Sequence, residues 1–322
     1  MKRKAGEGRI TPIVLYEALL HISRLEGEEI IPSFSYTIGF VYGDLFKIAS
    51  KHRVSDRDLL DELTRIGVLE KIPYDSFVKC PRCKSFRLLS RFKCPRCGSK
   101  NLRRITMVSH VPCGYTGVLE DMATAEGYVC KKCGKPLRRE GDDYIVIGRI
   151  FTCEDCGARF DNPLSAFKCS NCQLEFDYKN ADYVTVYKYR IRRDVLKEKA
   201  RQVLVELVKA AARAEGLRVE APSRAPGRSG YTHEVDVAVS DGKKHVLIDV
   251  VHESTSAMSE ALAALGKGSD IIASMHLLLA PTKVVEMEPL KSSESIKTLG
   301  YETAEEAYNK LREMLRKHFR KR

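Results

Sequence analysis

Six short motifs recur between residues 80 and 172: CPRC at 80–83, CPRCG at 94–98, HVPCG at 110–114, CKKCG at 130–134, CEDCG at 153–157 and CSNC at 169–172. All 11 cysteines of the chain lie in these motifs. Ten of them form pairs with two residues between, and Cys113 stands at the same spacing from His110. Because that spacing lets one tight turn present two side chains to one metal ion, the twelve candidate ligands divide evenly into three sites of four.

The shortest connections predict that neighbouring motifs pair along the chain. Ten, sixteen and twelve residues separate the half-sites of such pairs, which suits a short hairpin. Zinc prefers four tetrahedral sulfur or nitrogen ligands, and a set of four leaves no position open for catalysis. The sequence therefore predicts three structural Zn²⁺ in three tandem zinc ribbons over residues 76–182. The predicted ligand sets are Cys80/Cys83/Cys94/Cys97, His110/Cys113/Cys130/Cys133 and Cys153/Cys156/Cys169/Cys172.

Other arrangements of the cysteines are less consistent with this pattern. A disulfide framework would leave one of 11 thiols unpaired. Free structural thiols would not fall into six regular half-sites. A rubredoxin-like iron site also suits a Cys-Pro-x-Cys-Gly motif such as that at 94–98 and remains an alternative to zinc.

Positive charge is concentrated in the first part of this region. The chain has 55 Lys and Arg against 43 Asp and Glu, and residues 76–119 hold ten Lys and Arg with no acidic residue. Cations interleaved with aromatic rings suit phosphates and stacked bases. The predicted nucleic-acid-binding residues are Arg82, Lys84, Phe86, Arg87, Arg91, Phe92, Lys93, Arg96, Arg103 and Arg104, with DNA favoured over RNA. The alternative is a solvated basic face that offsets the charge of a zinc-tetrathiolate.

Three helices are predicted before the metal motifs. Thr11 and Pro12 are typical of a helix start, a second helix is expected from Gly43 to His52, and a third begins at Ser55 and ends at Gly67. Two helices joined by a short turn predict a helix-turn-helix-like domain over residues 1–75. The third helix is acidic, which favours a structural or protein-contact role over DNA reading.

The region after the motifs predicts a mixed α/β domain over residues 183–322. A strand at 183–191 and a helix at 194–215 precede strands at 217–220, 233–240 and 245–251, a helix at 256–265, a strand at 271–280 and a helix at 303–319. This order implies a central sheet with helices packed on it. The predicted fold class is thus multidomain α+β, with a small helical domain, three zinc ribbons and a C-terminal α/β domain.

The stretches 230–237 and 246–251 give the C-terminal domain a resemblance to the PD-(D/E)XK nuclease superfamily, in particular to Mrr-like restriction endonucleases. The resemblance implies that Glu206, Asp236 and Asp249 match the acids that hold a divalent metal, with Mg²⁺ at Asp236/Asp249 as a candidate cofactor. The lysine position is occupied by Val251, which implies a nuclease fold that does not cleave. Lys267 is the candidate migrated lysine, and we expect it to point away from Asp249.

The motif region in turn looks like the zinc-ribbon output domain of thaumarchaea and related archaea. The resemblance rests on His110-x-x-Cys113-Gly114 and on residues 144–189, and it implies a regulatory setting and no particular reaction.

Together these features predict a zinc-containing, nucleic-acid-binding regulatory protein, with further phosphate contacts from residues 188–201 and 316–322. One alternative is a Mg²⁺-dependent DNA nuclease that uses Glu206, Asp236, Asp249 and Lys267. Another is an adaptor that docks on a transcription or translation machine such as RNA polymerase or the ribosome. No apolar run reaches the length of a membrane span, so a cytoplasmic location without a membrane partner is expected.

Overall fold

The computed structural model describes residues 9–254 and 256–320. The described helices are α1 (Pro12–Arg24), α2 (Gly43–Lys51), α3 (Asp56–Arg65), α4 (Arg193–Ala214), α5 (Ala257–Asp270), α6 (Thr282–Val285) and α7 (Ala304–Arg320). None of these helices is long and apolar enough to cross a membrane.

The described strands number twenty-two. They are β1 (Glu29–Ile30), β2 (Ser33–Ser35), β3 (Gly39–Val41), β4 (Leu69–Lys79), β5 (Leu88–Lys93), β6 (Leu102–His110), β7 (Thr116–Val118), β8 (Ala123–Thr124), β9 (Gly127–Val129), β10 (Pro136–Leu137), β11 (Tyr144–Cys153), β12 (Arg159–Phe160), β13 (Leu164–Cys169), β14 (Glu175–Asp177), β15 (Asp182–Ile191), β16 (Arg218–Glu220), β17 (Ser223–Pro226), β18 (Thr232–Val235), β19 (Val237–Ser240), β20 (His245–Val250), β21 (Met275–Pro281) and β22 (Lys297–Tyr301).

The chain forms two compact units rather than the three predicted domains. The first unit combines Met1–Asp75 with Val186–Arg322, and the second is Ser76–Thr185. The predicted helical and α/β domains are therefore parts of one unit. The reason is a shared hydrophobic core, because the amphipathic helices before the metal motifs bury their apolar faces against the C-terminal helices and sheet.

Local sequence signals set the helix starts in the first unit. Pro12 begins α1, and the Thr11 side chain accepts a hydrogen bond from the Val14 N–H, which satisfies one of the free donors at the helix start. Ser55 caps α3 in the same way through the Asp58 N–H. Both helices begin at the predicted positions.

The core of the first unit joins residues that lie far apart in sequence. One buried cluster contains Tyr16, Leu19 and Ile22 of α1, Leu59 and Leu63 of α3, Leu204 and Leu207 of α4, and Leu311 and Leu315 of α7. A buried hydrogen bond of 2.5 Å between the hydroxyls of Tyr16 and Tyr301 joins α1 to the end of β22. Burial of these apolar side chains removes them from water and is the main stabilising contribution to the unit.

A five-stranded sheet in the order β16-β19-β20-β21-β22 forms the centre of the first unit. Alternate residues of β21 face opposite sides, as in any strand. Leu277 and Leu279 join the core that contains α4 and α7. Leu278 and Ala280 join a second core with Ala257, Ala261 and Ala264 of α5. Helices therefore cover both faces of this sheet.

The second unit is built from two arms of the chain. The outgoing arm runs from the start of the unit to the end of β6, and the returning arm runs from β11 to the end of the unit. Strand β5 pairs antiparallel with β13, from Leu88 opposite Cys169 to Lys93 opposite Leu164. Strand β6 pairs antiparallel with β11, starting with Leu102 opposite Cys153. The apolar clusters of the second unit are small. One of them consists of Cys80, Cys169 and Phe176 with their half-buried neighbours.

Candidate metal centres

All six motifs adopt one repeated turn. In each turn, the N–H of the first ligand residue donates a hydrogen bond to the carbonyl of the residue five positions later. The N–H of the residue four positions later donates a hydrogen bond to the carbonyl of the first ligand residue. In the second motif, these bonds are Cys94 N–H to Ser99 at 2.8 Å and Gly98 N–H to Cys94 at 2.9 Å. The residue four positions after the first ligand has positive φ in all six turns. These residues are Lys84, Gly98, Gly114, Gly134, Gly157 and Gln173. Four glycines meet this requirement without steric cost, which is the structural role of these residues in the motifs.

The turns bring the twelve ligand side chains into three groups of four. Within each group, the candidate ligand atoms all lie within 4.8 Å of one another, so each group could hold a metal ion. The groups are Cys80/Cys83/Cys169/Cys172, Cys94/Cys97/Cys153/Cys156 and His110/Cys113/Cys130/Cys133.

The groups are nested, and the prediction that neighbouring motifs pair throughout is wrong. Only the group of His110 forms as predicted. Strand β5 separates the motif that ends at Cys83 from the motif that begins at Cys94. Because six extended residues span about 20 Å, these two motifs lie too far apart to bind the same ion. Because β5 pairs with β13 and β6 with β11, each motif on the outgoing arm meets the motif that lies opposite it on the returning arm.

The distances within the groups fit one shared ion better than disulfides. The Cys80 and Cys172 sulfurs are 3.5 Å apart, and those of Cys94 and Cys156 are 3.7 Å apart. Four sulfurs at about 2.3 Å from a zinc ion lie about 3.8 Å from one another, whereas disulfide sulfurs lie about 2.05 Å apart. The groups therefore have the size of a tetrahedral metal site.

The electrostatics of the outermost group also favour a bound cation. A hydrogen bond with Asn171 lowers the pKa of Cys83 to about 6. For Cys172, a hydrogen bond from the Leu174 N–H favours the thiolate, but burial and the neighbouring Cys80 raise its pKa to about 11. One thiol thus ionises readily and then opposes ionisation of another. A divalent cation would remove that opposition, because it binds thiolates.

His110 contributes its Nδ1 atom to the innermost group. This atom lies 3.1 Å from the Cys113 sulfur and 3.5 Å from the Cys133 sulfur. The His110 side chain is fully buried, and its Nε2 atom has no hydrogen-bond partner among the described residues. A buried imidazole with one nitrogen facing three sulfurs has the donor set of a metal ligand.

Four of the basic residues predicted to bind nucleic acid contact acidic residues of the returning arm. Lys84 pairs with Asp182 at 2.5 Å, and Arg103 pairs with Glu154 at 2.8 Å. Arg91, Lys93 and the nearby Lys100 all face Glu175. Arg82 and Arg96 are exposed and form no ion pair within the part of the chain that the structure describes.

Three aromatic rings and one arginine form a strip that joins the two arms. The rings of Phe92 and Phe151 lie 5.8 Å apart between centroids, and Phe151 stacks on Phe160 at 6.1 Å. The Arg104 guanidinium lies 6.0 Å from the Phe151 ring. Phe92 is 52% exposed, and Phe86 and Arg87 are half-buried and exposed, respectively.

The two candidate catalytic aspartates lie on one face of the central sheet of the first unit. Val237 of β19 faces Ile248 of β20, so Asp236 and Asp249 lie at facing positions one residue further on. Burial raises the pKa of Asp236, and the charge of Asp249 contributes to the rise. Burial also opposes the charge on Asp249, but hydrogen bonds with His276 and Lys267 outweigh it and lower the pKa.

Each of the four carboxylate oxygens has a donor from the protein. Arg201 contacts both oxygens of Asp236, at 2.9 and 3.0 Å, and the Val250 N–H also donates to Asp236 at 2.8 Å. Lys267 Nζ lies 2.7 Å from one oxygen of Asp249, and His276 Nε2 lies 2.8 Å from the other. Arg201 and Lys267 therefore balance the charges of the half-buried Asp236 and the buried Asp249.

One expectation about this site is wrong. Lys267, carried by α5, was expected to point away and instead contacts Asp249. Glu206 was expected to face the aspartates; it forms an ion pair with Lys209 at 2.5 Å and lines a cavity together with Asp236. The residue of α4 that contacts Asp236 is Arg201, five positions earlier and therefore on a different part of the helix surface.

Sequence reasoning missed the residues that contact the candidate site residues but lie far from them along the sequence. These are Arg201 and His276 at the aspartates, and Glu154, Glu175 and Asp182 at the basic face. Of these residues, the sequence could have indicated only Glu154, Glu175 and Asp182, because the returning arm carries acidic residues where the outgoing arm is basic. The pairing itself depends on strand register, which composition does not give.

Comparisons with known proteins give one family match. The model of the family "Thaumarchaeal output domain 1" matches residues 18–191, more than half of the chain. A search of curated proteins found no match. Matching solved structures include a crystal structure of the protein VC1899 from Vibrio cholerae, at 13% identity and a TM-score of 0.25, covering 41% of this chain and 37% of that one. This chain therefore spans well under half of that protein.

Proposed function

The chain belongs to the thaumarchaeal output domain 1 family, and we propose that it is a regulatory protein whose second unit binds nucleic acid on a scaffold held together by three zinc ions. The observation that carries the proposal is the strip of Phe92, Phe151 and Arg104, which joins the outgoing and returning arms, together with the exposed Arg82 and Arg96 of the basic outgoing arm. Exposed rings can stack on bases, and the cations can contact phosphates.

The three groups of four ligands would hold the ions. Zinc is favoured over iron because one group includes a histidine, which is commoner in zinc modules. Zinc bound by four protein ligands supplies structural stabilisation and no open coordination position. The second unit has few buried apolar residues, so its folding should depend on metal binding.

The test measures binding of the full chain to labelled single-stranded and duplex DNA and RNA at several salt concentrations. Substitution of Arg82, Arg96 and Arg104 by Glu should weaken binding to every sequence and flatten the dependence on salt, because fewer counterions are released. The matched control changes three exposed cations of the first unit, Arg213, Lys243 and Lys291, to Glu. Equal losses in both variants would mean that net charge alone, and not this surface, causes binding.

An adaptor docking on RNA polymerase or the ribosome is the alternative for the second unit. In that case, naked DNA and RNA should not bind at physiological salt, and the substitutions at Arg82, Arg96 and Arg104 should have no effect on binding to free oligonucleotides.

For the first unit, we propose a nuclease-like scaffold that does not cleave. All four carboxylate oxygens of Asp236 and Asp249 already have protein donors, and Arg201 and Lys267 supply the positive charge that Mg²⁺ would bring. One observation favours the opposite proposal of a working nuclease: Lys267 lies at hydrogen-bonding distance from Asp249, where a migrated lysine could orient a water molecule.

Incubation with DNA and RNA in Mg²⁺ or Mn²⁺ separates these two proposals. The scaffold proposal predicts no cleavage above that of an Asp249→Asn variant, which keeps the shape of the side chain and removes its charge. Cleavage that is lost in this variant would make the protein an enzyme.

A further inference from the structure

Glu175 on β14 is surrounded by cations from three other segments. Its carboxylate lies 2.6 Å from Lys100 Nζ, 3.4 Å from Lys93 Nζ and 3.9 Å from Arg91 Nη1. Lys168 of β13 faces Glu175 directly across the antiparallel ladder. Asp177, two positions along β14, adds a second carboxylate. Two negative charges thus lie among three close cations and Lys168, which still leaves a local excess of positive charge.

Arg91, Lys93 and Lys168 share one face of the sheet formed by β5, β13 and β14, and Lys100 reaches Glu175 from the loop after β5. Lys93 and Arg91 alternate on one side of β5, opposite Leu164 and Ala166 of β13. A cavity of about 520 Å³ is lined by Lys93, Glu175 and Lys179, and the side chains of Arg91 and Lys100 are 37% and 40% exposed. The site is therefore open to a ligand and is not a closed part of the core.

We propose that Arg91, Lys93 and Lys100 form a binding site for a phosphate of the nucleic-acid backbone, and that Glu175 occupies this site as an internal substitute until the phosphate displaces it. The inference rests on the proposed function and identifies where on the second unit the backbone binds. A carboxylate and a phosphodiester both present anionic oxygens, and lysine and arginine bind either.

Displacement of Glu175 should be easy. Its side chain is 33% exposed, and exposed ion pairs are each worth at most about 1 kcal/mol. The displaced carboxylate can turn into water, whereas the phosphate releases counterions on binding. Glu175 would then reduce nonspecific binding, because every polyanion must compete with it.

The test is the Glu175→Gln variant of the full chain, with a labelled oligo(dT) and a labelled oligo(U) as probes. The proposal predicts binding about threefold to tenfold tighter than wild type and a log–log salt slope steeper by about one. The matched control is Asp142→Asn in the same unit, which changes net charge equally at an exposed side chain paired with Arg139. It should leave affinity nearly unchanged.

A second set of variants tests the cations. Lys93→Gln with Lys100→Gln should weaken binding, and adding Glu175→Gln to that pair should no longer produce a gain. Metal content and thermal unfolding of each variant verify that the second unit is folded. Wild-type binding without a gain in Glu175→Gln would overturn this inference and leave the proposed function in place. Failure of wild type and all variants to bind either probe would overturn both.

Discussion

The Cys80 sulfur lies 3.5 Å from the Cys172 sulfur, although the two residues are 92 positions apart in the chain. Cys83 and Cys169 repeat the relationship at 3.5 Å across 86 positions. The outermost group therefore joins the two ends of the second unit, and the other two groups lie inside it along the same pair of arms.

The turn at Gln173 gives a prediction about backbone strain. Gln173 has φ of 59° where four of the other turns have glycine, and a left-handed conformation costs a non-glycine residue about 1 kcal/mol. Gln173→Gly should raise the stability of the metal-loaded second unit by about 0.5–1 kcal/mol, measured by denaturant unfolding. Gly157→Gln at the equivalent position should lower it by a similar amount. Stabilisation by both changes would contradict this explanation.

The shared core of the first unit gives a prediction about cooperativity. Leu19 of α1 and Leu277 of β21 are both fully buried in one cluster, and Leu→Ala at such sites costs about 2–5 kcal/mol. Each substitution should lower the midpoint of the same unfolding transition in calorimetry. Leu262→Ala is the control, since Leu262 is 41% exposed. Separate transitions for α1 and the sheet would restore the three-domain division.

The pair of Lys267 and Asp249 predicts a specific loss of stability. Lys267→Met keeps the side chain's apolar stem but leaves Asp249 with His276 as its main partner, and it should cost about 2–3 kcal/mol. Adding Asp249→Asn should recover part of the loss. The control Lys283→Met, at an exposed pair with Glu253, should change stability by less than about 1 kcal/mol. Additive losses in the double variant would mean that the two side chains are not coupled.

Glu215 predicts a dependence of stability on pH. Hydrogen bonds from Arg316 and Arg312 lower the pKa of Glu215 to about 2, below its value of about 4.3 in an unfolded chain. Its stabilising contribution is therefore complete above the unfolded pKa and is lost as pH falls from about 4.3 towards 2. Glu215→Gln should lower the unfolding temperature at neutral pH, and the difference from wild type should shrink below pH ~4.3. A difference that grows at acidic pH would contradict this ion-pair network.

The same network bears on the C-terminal cations. Arg312 and Arg316 contact Glu215 at 2.8 and 2.9 Å, so Arg316 already has an acidic partner within the first unit. Lys321 and Arg322 lie outside the described residues. The predicted phosphate contacts at 316–322 are thus weaker candidates than the strip on the second unit.

Local features could be predicted from the sequence, whereas pairing at long range could not. The caps at Thr11 and Ser55 and the glycines of the metal turns act within a few residues, so their positions were visible in the pattern. The grouping of Cys80 with Cys172 depends on the pairing of β5 with β13, and equal motif spacing is compatible with several groupings. The donors to Asp236 and Asp249 come from α4, α5 and β21, whose faces are set by packing.

The most direct test of the nested metal scaffold counts metal ions in purified variants. Wild type should contain three zinc ions per chain, whereas Cys80→Ser with Cys83→Ser, and Cys169→Ser with Cys172→Ser, should each contain two. The nested arrangement predicts that the combined fourfold variant also contains two, because all four residues belong to one group. One ion in the fourfold variant would mean that the two motifs serve different centres and would contradict the nested arrangement.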